Sequence, residues 1–215
     1  MAASQKNPKD QLDAYAASVD VELVRRALKF TASKDIRYYL NGVSIQPSKS
    51  GGVLVMATDG HCALVLHDRN GKADKPYILP FAKGRNEKGL AERGAEHVVV
   101  APNGDIAVVD SFVQKRFICP EPLIQGKFPD LAPVTGVLGD YEAGIKGAFN
   151  PAYMQRALDS AGKGYAADIR FYSKKVGGAD AALLFTTQHG FGLVMPMRDD
   201  AALEKKLTKD FGGSI

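Results

Sequence analysis

The sequence predicts an α+β fold built from repeated βαβββ units, with antiparallel sheets and basic helices on one face. Three observations predict it. A stretch of helix followed by strands recurs near the carboxy end with its parts in the same order. Short apolar runs are separated by Asp-Gly and Asn-Gly pairs, which suit tight hairpins because both residues tolerate positive φ. The segments with a 3.6-residue apolar period carry more cations than the chain average.

Composition bounds the answer. The 215 residues are 45% hydrophobic and 24% charged, which excludes a mostly disordered or fibrous protein and allows one large domain or two modest ones. A net charge of +4 is too small to establish nucleic-acid binding, so the distribution of charge has to decide. Cys62 and Cys119 lie far apart in apolar stretches and read as core thiols, not as a disulfide framework or zinc motif. Residues 1–10 lack the apolar core of a signal peptide, and no run approaches the roughly 20 apolar residues of a membrane span. A cytoplasmic protein with no membrane partner is expected.

Residues 1–17 are expected to form a flexible tail. Over residues 21–31, Val21, Leu23, Val24, Ala27, Leu28 and Thr31 share one side of a helix, and Glu22, Arg25, Arg26 and Lys29 share the other. Residues 35–45 then read as a strand, with Ile36, Tyr38 and Leu40 alternating against Arg37, Tyr39 and Asn41. The runs 53–57 and 63–66 flank Asp59-Gly60 as a hairpin, and being apolar at every position they should be covered on both faces. A weaker unit follows: a strand at 77–79, a helix over 82–93, and strands at 97–100, 106–109 and 112–118 with Asn103-Gly104 as a turn. Its helix carries Lys83, Arg85, Lys88 and Arg93 against Glu87 and Glu92. Residues 120–133 hold four prolines and suit a linker.

The repeat then closes the pattern. Leu23-Val24-Arg25-Arg26-Ala27-Leu28 matches Tyr153-Met154-Gln155-Arg156-Ala157-Leu158, Asp35-Ile36-Arg37-Tyr38-Tyr39 matches Asp168-Ile169-Arg170-Phe171-Tyr172, and Leu64-Val65-Leu66 matches Leu193-Val194-Met195. Three correspondences in register define a third unit.

Catalytic signals are weak. The four histidines offer no metal-binding spacing, and on one strand His61 and His67 would stand roughly 20 Å apart at about 3.3 Å per residue. No phosphate-binding loop, nucleophile elbow or dinucleotide fingerprint is present, so no enzyme, cofactor or metal is expected. Thr58-Asp59-Gly60-His61 contains the residues of an acid/base pair, yet a hairpin tip is the plainer reading because no nucleophile or third orienting group is near. Met195-Pro196-Met197-Arg198 reads equally as a strand end closed by proline or as a soft binding surface.

Four motifs taken in order, Arg37-Tyr38-Tyr39-Leu40-Asn41-Gly42, Ala57-Thr58-Asp59-Gly60-His61, Gly126-Lys127-Phe128-Pro129-Asp130 and Val194-Met195-Pro196-Met197-Arg198, resemble those of the bacterial sliding clamp, the beta subunit of DNA polymerase III. The resemblance spans residues 18–198. It implies the sliding-clamp fold and a non-enzymatic processivity factor that encircles double-stranded DNA without sequence preference, self-associates as a homo-oligomer, and docks DNA polymerase and clamp-loader proteins through short peptide motifs. The docking pocket it implies comprises Leu40, Thr58, Gly60, His61, Pro129, Val134, Leu193, Met195, Pro196, Met197 and Arg198. Ala63 stands where the family has a larger apolar residue and Pro133 where it has an arginine. The DNA contacts it implies are Arg25, Arg26, Lys29, Arg37, Tyr38, Tyr39, Lys83, Arg85, Lys88, Arg93, Arg156 and Lys163, although for any one cation a solvated helix face is the plainer reading.

The departures are large. The family chain has three domains of two units each. Here residues 18–130 resemble the middle domain, residues 131–198 resemble only the second half of the third, and residues 199–215 extend beyond the family's end as a short charged helix. A clamp mimic that binds the same peptides without encircling DNA therefore stands as the alternative. Gln11-Leu12-Asp13-Ala14-Tyr15 also resembles the peptide that clamp partners insert, and reads otherwise as the start of a strand or helix.

Overall fold

Segments that are apolar at every position cannot leave either face in water, and here they become the centre of a sheet. A computed structural model of the chain describes residues 8–162, 168–176 and 181–197. The elements in chain order are α1 (Pro8–Leu12), β1 (Ala17–Asp20), α2 (Val21–Leu28), β2 (Val43–Pro47), β3 (Val53–Thr58), β4 (Cys62–Asp68), β5 (Lys72–Ala73), β6 (Tyr77–Leu79), α3 (Glu87–Leu90), β7 (His97–Val100), β8 (Ile106–Val109), β9 (Lys115–Ile118), α4 (Ala132–Thr135), β10 (Tyr141–Ala143), α5 (Pro151–Ser160), β11 (Ile169–Lys174), β12 (Leu183–Thr187) and β13 (Gly190–Val194). Among the described residues no helix is long and apolar enough to cross a membrane.

The strands form two antiparallel sheets, one of five in the order β5-β1-β7-β8-β9 and one of eight in the order β10-β11-β12-β13-β4-β3-β2-β6. The first two units exchange strands: β1 precedes the helix of the first unit but pairs with β7 of the second, and β6 pairs with β2 of the first. In the carboxy-terminal unit β10 lies against β11 of its own sheet. That unit joins the first directly, because β13 pairs with β4 from Gly190 opposite Leu66 to Val194 opposite Cys62.

Helix α2 is set by its amphipathic pattern and its cap. Val21, Leu23, Val24, Ala27 and Leu28 are buried, the Asp20 carboxylate accepts the Glu22 N–H at 2.7 Å, and Asp68 Oδ2 accepts the Asp20 N–H at 2.8 Å. α5 repeats the device, with Asn150 Oδ1 accepting the Ala152 N–H and Pro151 in the first turn. Both helices cover the inner face of the large sheet, where Phe30 of the first unit stacks on Phe185 of the last at 6.1 Å. Each fully buried phenylalanine contributes about 1.5–3 kcal/mol relative to exposure. The outer face carries a second cluster of Leu40, Met56, Val65 and Ile78, covered by Phe128 and by Ile124, whose N–H donates to the Ile78 carbonyl. Residues 120–131 are thus a packed strap, not a free linker.

Three expectations are corrected. Residues 35–42 are not a strand: Asp35 Oδ1 accepts the Arg37 N–H, and the Asn41 side chain bonds both the N–H and the carbonyl of Asp35 at 3.0 and 2.8 Å. Side chains there satisfy backbone groups that a strand would offer to a neighbour, so Tyr38–Leu40 form a 3₁₀ turn and Ile36 is 96% exposed. The matched copy has Lys174 in place of Asn41 and does become β11. The helix over 82–93 shrinks to α3, because Gly84, Asn86 and Gly94 all take positive φ. Of the expected tail, residues 8–16 are folded: α1 forms, and Leu12 and Tyr15 pack on Val99, Ala107 and Val109. The expected helix over 199–215 lies outside the described residues.

The join of β13 to β4 has no room for a side chain at Gly192, where a Cβ would stand 2.1 Å from Phe185 Cζ and 2.5 Å from the Ala63 carbonyl. Gly192→Ala is therefore expected to destabilise by about 1–3 kcal/mol, read as a lower urea midpoint at unchanged slope. A midpoint equal to that of the wild type would show that the join is loose.

Candidate functional site

The hairpin between β3 and β4 ends in Thr58-Asp59-Gly60-His61, and each residue has a local job. Thr58 Oγ1 donates to the Cys62 carbonyl at 2.8 Å and accepts the Gly60 N–H, while Asp59 Oδ1 accepts the N–H groups of His61 and Cys62, both at 2.9 Å. Gly60 sits at φ +91°, and a Cβ there would meet the Arg37 guanidinium at 3.2 Å. From the carboxy-terminal unit, Arg156 Nη1 donates to Asp59 Oδ2 at 2.6 Å, and the Tyr153 ring lies parallel to that of His61, 5.7 Å away. The Asp59 carboxylate is thus taken up by the turn and by Arg156, which makes this a built tip and not an acid/base pair.

Beside the tip is a mainly apolar cavity of about 320 Å³ at the junction of the first and last units. Leu40, Thr58, Gly60, His61, Pro129, Val134, Leu193 and Met195, brought from four separate stretches of chain, all line it. Pro196 and Met197 do not: the Met197 N–H donates to the Ala148 carbonyl, which turns the chain away, and its side chain is half exposed. Arg198 lies outside the described residues. Sequence reasoning missed Cys62, Asp130 and Leu131 as lining residues and assigned Arg37 and Tyr39 only to DNA. For Cys62 and Asp130 the usable signal was adjacency to His61 and Pro129. Burial pushes the Cys62 thiol up to about 12, with the Asp59 charge adding to it, so the thiol is protonated and unreactive at neutral pH.

Behind the same tip opens a cleft of about 700 Å³ that gathers Arg25, Lys29, Lys34, Arg37, Lys83 and Arg156 around Asp35, Asp59, Glu87 and Asp159. Most of these cations have carboxylate partners: Lys29 with Asp159 at 3.2 Å, Arg37 with Asp35 at 2.7 Å, and Arg25 with Glu22 at 3.3 Å. Arg37 holds the Asp35 carboxyl at about 2. The other sequence-named residues fall elsewhere. Arg26 pairs with Glu22, Arg85 pairs with Glu121, Lys88 and Arg93 are exposed away from the cleft, and Tyr38 is exposed edge-on to Tyr39. Lys163 lies outside the described residues. Among the described residues no group of three or more His, Cys, Asp or Glu side chains is placed to hold a metal ion.

No family model matches the chain, and no curated protein matches it. Solved structures do. The DNA polymerase sliding clamp of Pseudomonas aeruginosa is similar with 20% identity and a TM-score of 0.60 over 85% of this chain and 66% of that one. A structure of the DNA polymerase III subunit beta from the same organism gives 19% identity and a TM-score of 0.62 over 93% and 69%. The Borrelia burgdorferi subunit beta, in complex with a natural product, gives 14% and 0.61 over 87% and 66%. The fold of this chain is therefore that of the bacterial sliding clamps, and the chain spans about two thirds of their length.

Burial raises the Asp59 carboxyl, but the N–H groups of Cys62 and His61 and the Arg156 guanidinium outweigh it and hold the group below its ordinary 3.8. A depressed carboxyl stabilises the fold above its unfolded value, and that stability is lost as pH falls through the folded value. Asp59→Asn is accordingly expected to cost about 1–3 kcal/mol at neutral pH, where the charge-assisted bond to Arg156 is intact. That difference from wild type should shrink towards zero in acid unfolding curves taken below pH 3.8. A difference independent of pH would contradict the assignment.

Proposed function

We propose that the chain is a non-enzymatic accessory protein of DNA replication, a sliding-clamp-type factor that docks partner proteins through the apolar cavity and contacts DNA phosphates through the basic cleft. The observation that carries this reading is the convergence on one cavity of eight residues that the resemblance names for the docking pocket, from four distant stretches, in a chain with the clamp fold. Residues 18–130 act as a two-unit clamp domain and residues 131–198 as a half domain. Self-association supplies the ring: if twelve units close it, three per chain require four chains. The partners are double-stranded DNA, a polymerase and a clamp-loader type protein, in the cytoplasm.

A second reading has its own support. With Arg25, Lys29, Arg37 and Arg156 each paired to a carboxylate, the cleft offers phosphates a weaker field than its lysine and arginine content implies. That favours a clamp mimic, which binds the same peptides but does not encircle DNA. Retention on closed circular DNA with release on linearisation is expected of the clamp, and no retention on either is expected of the mimic.

A peptide of Gln-Leu-x-Leu-Phe type is expected to bind at micromolar strength, about 8 kcal/mol. Met195 is 40% exposed, so Met195→Ala leaves the fold intact and should weaken binding by more than about 1 kcal/mol, as should Leu40→Ala where it folds. Unchanged affinity in both variants, measured by calorimetry, would remove the cavity from the function.

A further inference from the structure

The hairpin tip is a wall shared by two cavities. Arg37 and His61 line both the apolar cavity and the basic cleft, and Asp59 faces the cleft while its backbone neighbours face the cavity. What holds this wall comes from elsewhere in the chain. Arg156 stands on α5, 97 residues from Asp59, with Nη1 2.6 Å from Asp59 Oδ2 and 3.4 Å from Cys62 Sγ. Its guanidinium also lies over the Tyr153 ring at 5.1 Å, and that ring stacks on His61 with only 10° between planes. One guanidinium therefore fixes the backbone of the tip, through Asp59, and the His61 ring, through Tyr153.

The same group is open to competition. One third of the Arg156 side chain is exposed, whereas that of Asp59 is 13% exposed. The cleft gathers six lysines and arginines against four carboxylates, so it attracts an anion overall. A phosphate entering it competes for the Arg156 donors and repels the Asp59 carboxylate. Both effects unseat the tip, and the cavity loses a wall.

We infer that Arg156 is a positioning residue of the apolar cavity, and that through its pair with Asp59 a phosphate in the cleft and a peptide in the cavity oppose each other. The inference rests on the peptide and DNA reading above. It reassigns Arg156, which the sequence pattern counted among simple DNA contacts. The opposition is reciprocal, since each ligand changes the affinity for the other by one common factor.

The test uses the full chain, a fluorescent Gln-Leu-x-Leu-Phe-type peptide and a short DNA duplex at constant ionic strength. In the wild type, saturating duplex should weaken the peptide by roughly fivefold or more. Asp59→Asn releases Arg156, so duplex affinity should rise while peptide affinity falls and loses its dependence on DNA. A merely structural role for the pair would not raise duplex affinity. Arg156→Lys keeps the charge but not the planar contact with Tyr153, and should weaken the peptide by a larger factor than it weakens the duplex. It also serves where Asp59→Asn fails to fold. Lys83→Ala, in the cleft but away from the tip, should weaken the duplex and leave the coupling factor intact. Peptide binding that ignores both the duplex and the two tip variants overturns the coupling alone. Failure of the wild type to bind peptide at all overturns the underlying reading with it.

Discussion

Everything distinctive in this molecule depends on the pairing of β13 with β4. It joins two four-strand halves into one eight-stranded sheet, and it brings the end of the carboxy-terminal unit beside a hairpin formed more than a hundred residues earlier. Without it the inner core would lose the Phe30 to Phe185 contact, and Leu193 and Met195 would not face Leu40 and Thr58. Close approach is the condition: Gly190 and Gly192 leave no space for a Cβ against the backbone of Val65 and Ala63. At Gly192 the ring of Phe185, its register partner on β12, also lies where a Cβ would stand.

The carboxy-terminal unit replaces a strand exchange by a private arrangement. In the first two units each leading strand completes the other's sheet, which makes the pair inseparable without breaking ladder hydrogen bonds. In the last unit β10 returns to its own sheet, so its hold on the rest of the molecule comes from β13, α5 and the Arg156 to Asp59 pair. That pair crosses the junction at the rim of the cavity.

Charge is distributed differently from its sequence count. The basic residues of α2 and of the segment after β6 do not form one free stripe, because Glu22, Asp35, Asp159 and Glu121 each engage a cation. Exposed pairs of this kind contribute only about 0–1 kcal/mol, so a phosphate can displace the carboxylate at small cost. Under the proposed function, such pairing suits adjustable, salt-sensitive contact better than a fixed high-affinity groove.

The period of most elements, and with it the unit repeat, could be read from the amino-acid order alone. The strands Tyr77–Leu79, His97–Val100 and Ile106–Val109 and the buried stripe of α2 lie where short apolar runs and the 3.6-residue period put them. Most of the cavity lining was reached only through the family resemblance; local turn chemistry at Thr58-Asp59-Gly60 marked a hairpin tip and no more. The rest needed the packed chain. Residues 35–42 have an alternating pattern, yet they fold as a turn because Asn41 closes hydrogen bonds that no pattern counts. Arg156 looked like one more helix-borne cation until α5 was set against the hairpin tip, because the worth of a charge depends on which partner stands within a few ångströms, and that distance is a property of the packed chain.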